Sequence, residues 1–239
     1  MKTFFIPFLL LMMSFADAAE SGRLKVISAV ARKNGGEVVY TEKHEIRMNS
    51  DGSLSQARTD YFAPDRTLRA VLETDFKNGL AATDYTFIDK RDGSAHGVVA
   101  KPNGYLVWKK NKDGKREEEL IEKRDFKDKD LVVAGQGLFF YLRNHLKTFK
   151  KGDSIPVKLL FPGRLDYFSF DLTVHEEGSR FVSFRMNANN ILLSLFIPSL
   201  RFKFDRDSNE IVEYTGPSNL VDDRGGMQKV EISYNPKES

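Results

Sequence analysis

Four stretches of this chain alternate between apolar and polar positions. Ile155, Val157, Leu159 and Phe161 share one face, with Lys158 among the residues between them. Phe168, Phe170, Leu172 and Val174 repeat the pattern, as do Leu200, Phe202 and Phe204, and Val230, Ile232 and Tyr234 close the chain in the same way. Successive side chains of a strand point to opposite faces, so this spacing predicts strands with one buried and one wetted face. Reversal signals lie between such runs. Asp51-Gly52, Asp92-Gly93 and Asp113-Gly114 suit turns that need positive φ, and Glu177-Gly178 and Asp207-Ser208-Asn209 read as further reversals. Short strands joined by tight turns make an antiparallel meander; a parallel sheet would need a crossover helix at every step. The expected fold is mainly β, a β-dominated α+β arrangement: a curved sheet or half-open barrel with one amphipathic helix packed on it.

That helix is expected from Leu138 to Phe149. Leu138, Leu142, Leu146 and Phe149 fall on one stripe, Arg143, Asn144 and Lys147 face away, and Lys151-Gly152 provides the stop. Such a helix either plugs the sheet or forms one wall of a ligand cavity.

The ends and the charges change the picture next. Lys2, an apolar run from Phe4 to Phe15 and Ala16-Asp17-Ala18 make a secretory leader, too short for the roughly 20 residues of a membrane span. Cleavage is expected after Ala18, leaving one β-rich domain over 19–239 in the periplasm, with no transmembrane segment. The chain holds no cysteine, which removes disulfides, thiol catalysis and Cys-based zinc sites together. Thirty-seven basic residues face 34 acidic ones, a mixed surface that argues against nucleic acid as a partner. From Lys109 to Asp130 nine basic and eight acidic residues nearly neutralise one another, as on an exposed hairpin or an edge strand that must resist edge-to-edge pairing.

No catalytic motif emerges. There is no G-x-S-x-G elbow, no Ser-x-x-Lys pair and no phosphate-cradling loop, and Gly135-Gln136-Gly137 lacks the third glycine of a dinucleotide site. No cofactor is implied. His44, His96, His145 and His175 stand too far apart in sequence for a local metal motif. Paired carboxylates brought together by the fold would leave no trace in spacing.

Two apolar features stand out. Ile191 to Pro198 lacks both charge and clean alternation and contributes Ile191, Leu195 and Phe196 as candidate contacts; it is either a buried crossing or a partly exposed lip. Trp108, the one tryptophan, sits beside the charged hairpin, where it is expected half-exposed on an edge strand or a ligand face.

Several segments carry a resemblance: Phe196-Ile197-Pro198-Ser199-Leu200, Phe202-Lys203-Phe204-Asp205-Arg206 and the Tyr214-to-Leu220 patch with Gly216, Ser218 and Asn219. Gly135-Gln136-Gly137-Leu138-Phe139 and the Tyr40-to-His44 strand join them. Together they resemble an uncharacterised family of exported bacterial β-rich proteins, known as a domain of unknown function. That family is similar in kind to the lipoprotein-carrier half-barrels, which shelter acyl chains under a helix. The resemblance implies a half-barrel and no catalytic residues, and turn formation accounts for the 214–220 patch as well as function does.

The expected function is therefore non-enzymatic: binding of a lipid, acyl chain or other apolar or amphipathic ligand, or of an envelope protein. Leu138, Leu142, Leu146, Ile191, Leu195, Phe196 and Trp108 are the candidate contacts. The alternatives are a hydrolase of envelope glycan or lipid using fold-assembled carboxylates, and a purely structural envelope protein.

Overall fold

Each alternating run is a strand in the computed structural model, which describes residues 22–33, 35–190, 198–222 and 225–235 and, of Glu177, only the main chain. The leader and the candidate contacts Ile191, Leu195 and Phe196 lie outside the described residues. Eight strands come first: β1 (Arg23–Arg32), β2 (Val38–Met48), β3 (Leu54–Phe62), β4 (Leu68–Asp75), β5 (Asp84–Asp89), β6 (Ala95–Lys101), β7 (Gly104–Lys110) and β8 (Arg116–Glu122). Then follow β9 (Leu131–Val133), β10 (Ser154–Phe161), β11 (Asp166–Glu177) and β12 (Phe181–Ala188). The last three are β13 (Leu200–Asp205), β14 (Glu210–Val221) and β15 (Met227–Tyr234). Among the described residues there is one α-helix, α1 (Gly137–His145), between β9 and β10.

All fifteen strands belong to one sheet. From β1 the order runs through β2 to β8 on one side, and through β15 back to β9 on the other. Neighbours are antiparallel except β9 and β10, and 61% of the described residues are strand. In the Asp-Gly turns Gly52, Gly93 and Gly114 take φ of 82°, 75° and 85°, the left-handed geometry that tight hairpins demand. The Asp51 and Asp92 carboxylates accept the Ser53 and Ser94 N–H groups at 2.8 and 2.9 Å.

The sheet curls until its two ends approach. The connection 123–130 links edge strand β8 to edge strand β9. Within that connection Phe126 stacks edge-on between Tyr105 of β7 and Tyr167 of β11, at 6.1 and 5.1 Å. Lys109 Nζ donates to the Gly163 carbonyl at 3.3 Å across the same gap. β8 carries Arg116, Glu117, Glu118 and Glu119, so the charged run does form a hairpin arm and an edge.

Helix α1 fills the curl. Leu138, Leu142 and Leu146 are buried together with Phe170, Leu172, Phe184, Phe202 and Phe204 from the far side of the sheet. A smaller apolar group lies under the other flank of the helix, formed by Ile27, Ile46, Ala57, Phe76 and Phe140. The helix enters through Gly135-Gln136-Gly137, where the first and last residues are glycines because there is no room for more. Gly135 has φ of 53° and lies against the Tyr85 ring, while a Cβ on Gly137 would run into the Ala81 carbonyl.

Three expectations need correction. The helix stops at His145 rather than Phe149, because the Thr148 N–H and hydroxyl both turn back onto the His145 carbonyl, at 2.9 and 2.8 Å. The β10 face breaks phase. Past Leu159 the strand leaves its partner β9, and Leu160 turns inward at 1% exposure while Phe161 lies out on Phe168 at 39%. The Tyr214–Leu220 patch is no free-standing turn but part of β14, whose register slips between Pro217 and Val221. That slip brings Ser218 and Asn219 onto the hydroxyls of Tyr40 and Tyr61, both at 3.0 Å.

Candidate functional site

Strand β2 points Tyr40, Glu42, His44 and Ile46 inward, so its alternation places two polar residues on the core side. Glu42 is only 6% exposed. Its carboxylate lies 2.8 Å from His44 Nε2, and His44 Nδ1 lies 2.8 Å from Thr59 Oγ1 on β3. Gln136 Nε2, at the entrance to α1, donates to the same hydroxyl at 2.8 Å. The partners set the proton positions. Glu42 accepts from Nε2–H, and Thr59 accepts from Gln136 and donates to Nδ1. Four tyrosines surround this chain: Tyr40, Tyr61 and Tyr214, which are buried, and Tyr234, which is half-buried. Burial first, and the Glu42 charge second, raise each phenol above its ordinary range, so all four stay protonated.

An acid, an imidazole and a hydroxyl in series invite comparison with a nucleophilic triad, but the geometry serves a different end. Thr59 is fully buried, and its oxygen is already engaged on both sides. The nearest cavity, lined by His44, Gln136, Phe139, Phe140, Arg143, Glu210 and Tyr234, measures about 50 Å³. That volume admits one or two waters and no substrate. The chain of hydrogen bonds ties the start of α1 to β2 and β3.

A groove of about 740 Å³ opens at the other end of α1. Met48, Leu54, Phe76, Leu80 and Leu146 supply its apolar surface, from the β2–β3 and β4–β5 connections and the helix end. Polar and basic groups line it too: Asn49, Ser53, Lys77, Arg143, Asn144, Lys147 and Asn209. Arg143 bridges to Glu210 at 2.9 Å, and Lys25 reaches the same carboxylate oxygen at 2.5 Å. A second open depression, about 530 Å³ on the outer face of β2 to β6, includes Glu45, Glu73, Asp75 and Asp84. These carboxylates are already committed. Glu73 pairs with Arg58 at 2.8 Å, Asp84 takes the Ala100 N–H at 2.7 Å, and Asp75 takes that of Lys77 at 2.9 Å. Lys43, hydrogen-bonded to Glu45, holds that carboxyl below its usual range, the reverse of what a general acid needs.

The candidate contacts named from sequence separate in space. Leu146 lines the groove, whereas Leu138 and Leu142 are packed into the core away from it. Trp108 is buried at 8% exposure on the outer face of the sheet, over Gly97 and under the Arg116 guanidinium at 4.5 Å. It faces neither the groove nor the helix. The histidines disperse likewise. Among the described residues no group of three or more acidic or imidazole side chains is placed to hold a metal ion, and no helix is long and apolar enough to cross a membrane.

His96 makes a titration test of the core. It stacks on Phe87 at 4.9 Å, and burial lowers its pKa to about 4. The unfolded chain takes up this proton near pH 6.5 and the folded one only near 4, so stability is full above 6.5 and falls as pH drops through that window. Between pH 7 and 4.5 this residue should cost about 2–3 kcal/mol. Urea midpoints of wild type and His96→Phe at both pH values check this: the variant should lose less stability on acidification by that amount.

No family model matches the chain, and no curated protein matches it. Among solved structures it is similar to a β-barrel-like protein of a domain of unknown function, DUF1849, from Brucella abortus. The two share 8% identity with a TM-score of 0.41, over 90% of this chain and 98% of that one. The likeness is one of shape. It assigns no residue a role.

Proposed function

We propose that this chain is an exported envelope protein that binds an amphipathic ligand, without chemistry of its own, in the groove at the C-terminal end of α1. Export rests on the leader at 1–18. The observation that carries the binding reading is the groove itself: about 740 Å³, lined by five apolar residues together with neutral polar and basic ones. Small-molecule sites fall in this range of volume. The concave face of the sheet is taken up by α1 and the aromatic core, so the ligand belongs at the mouth of the barrel rather than beneath the helix.

Titration with a fluorescent fatty acid tests this. Wild type should bind it, and Asn144→Trp, which fills the groove from an exposed helical position, should weaken binding at least tenfold without moving the melting temperature. Wild-type protein that takes up no amphiphile, and carries no lipid in native mass spectrometry after isolation from its host, would overturn the proposal.

A further inference from the structure

The charges around the groove narrow the choice of occupant, an inference that rests on the amphiphile reading above. We propose that the ligand is an anionic lipid with a phosphate monoester head group, held at the rim by Lys147 and Arg143 with Lys77 opposite. Three cations and no carboxylate line the groove. Lys147 is exposed and makes no ion pair among the described residues. Arg143 is only half-compensated, because its partner Glu210 is shared with Lys25. Lys77 sits loosely, 3.5 and 3.6 Å from Asp75 and Asp84, and is long and exposed enough to swing toward a ligand. The positive charge left over from Lys147 and from the Lys25–Glu210–Arg143 trio matches a phosphate monoester, which carries between one and two negative charges near neutral pH.

Arg143, in the last turn of α1, and Lys147, two residues past its end, both line the groove. Cations there ordinarily answer the helix's own terminal carbonyls. Here that task has another occupant, since the Arg206 guanidinium donates to the Leu146 carbonyl at 3.2 Å. Met48, Leu54, Phe76 and Leu80 line the same groove from the two turns, so an amphiphile held by its head at the helix end lays its tail along them. Asn49, Ser53 and Asn209 add neutral hydrogen-bonding groups around the head.

The test compares probes with one tail and different heads below their micellar concentrations: dodecyl phosphate, dodecyl maltoside and, separately, inorganic phosphate. Dodecyl phosphate should bind at least tenfold tighter than the maltoside at low salt. That ratio should shrink as salt rises and collapse toward one in Lys147→Glu. Lys150→Glu makes the same change in net charge at an exposed lysine outside the groove and should leave the ratio intact. Equal binding of both amphiphiles would overturn the anionic assignment while leaving the amphiphile reading standing; binding of neither would remove both. A ratio that falls equally in Lys150→Glu would reduce the preference to overall charge. Inorganic phosphate binding as tightly as dodecyl phosphate would make the groove an ion site. Either result overturns the inference.

Discussion

Leu142→Asp should abolish folding, with loss of the strand-type circular dichroism and no cooperative melt. The side chain is fully buried at the middle of the one helix that fills the curled sheet. A carboxylate there meets only apolar neighbours of the core, and an uncompensated buried charge costs several kcal/mol against a total stability of about 5–15. Leu142→Ala removes bulk without charge and should cost about 2–5 kcal/mol, leaving a folded protein whose urea midpoint reports the loss. If Leu142→Asp melted like wild type, α1 would not be part of the core, and the groove would lose the wall from which Leu146, Arg143 and Lys147 project.

Gly137→Ala is expected to have the next largest effect. A methyl group at this position collides with the main-chain carbonyl of Ala81 and lies close to that of Leu80. Backbone cannot step aside as a flexible side chain would. Two features lock this contact further: the Ala134 N–H donates to the Ala81 carbonyl at 3.0 Å, and the Thr83 hydroxyl donates to the Ala134 carbonyl at 3.1 Å. The helix would have to shift away from the β4–β5 connection and pull Gln136 off Thr59. A cost of about 3 kcal/mol or more follows, at the upper end of overpacking effects. Thermal melts check it, and amide exchange should show protection lost first in α1. A change within 0.5 kcal/mol or so, the ordinary range for a surface position, would mean the approach is slack.

How far these features could be read beforehand depends on the distance over which their causes act. The strands at Phe168–Val174, Leu200–Phe204 and Val230–Tyr234 declare themselves because alternation is local. So do the Asp-Gly reversals, whose φ values the backbone imposes within two residues. The swap of Leu160 for Phe161 could not be read, since it depends on where β10 parts from a strand more than twenty residues earlier. The bare Gly-Gln-Gly lacked a nucleotide motif, but its true reason, contact with Ala81 and Tyr85, lies some fifty residues away. Glu42 and His44 do carry a local signal: two ionisable residues on the same face as Tyr40 in a strand, hence polar groups pointing into a core. Their partners Thr59 and Gln136 are 77 residues apart, so the arrangement itself was out of reach. The groove is harder still, being assembled from two turns and a helix end, and among the described residues only Leu146 of the proposed contacts reaches it.

The meeting of β1 with β15 has a consequence in time. Every other antiparallel pairing in the sheet joins strands adjacent in sequence and can zip as soon as its hairpin has formed. The β1–β15 ladder pairs Ala29 with Tyr234 and Arg32 with Glu231, so it must wait for nearly the whole chain. Until then two half-sheets exist, one ending on an unpaired β1 whose outer face shows Leu24 and Val26. Such a long-range closure slows folding and leaves a naked strand edge that another copy can capture. A chain delivered from its N-terminus therefore keeps this sticky edge until β15 arrives, and any holding factor it depends on would act on β1.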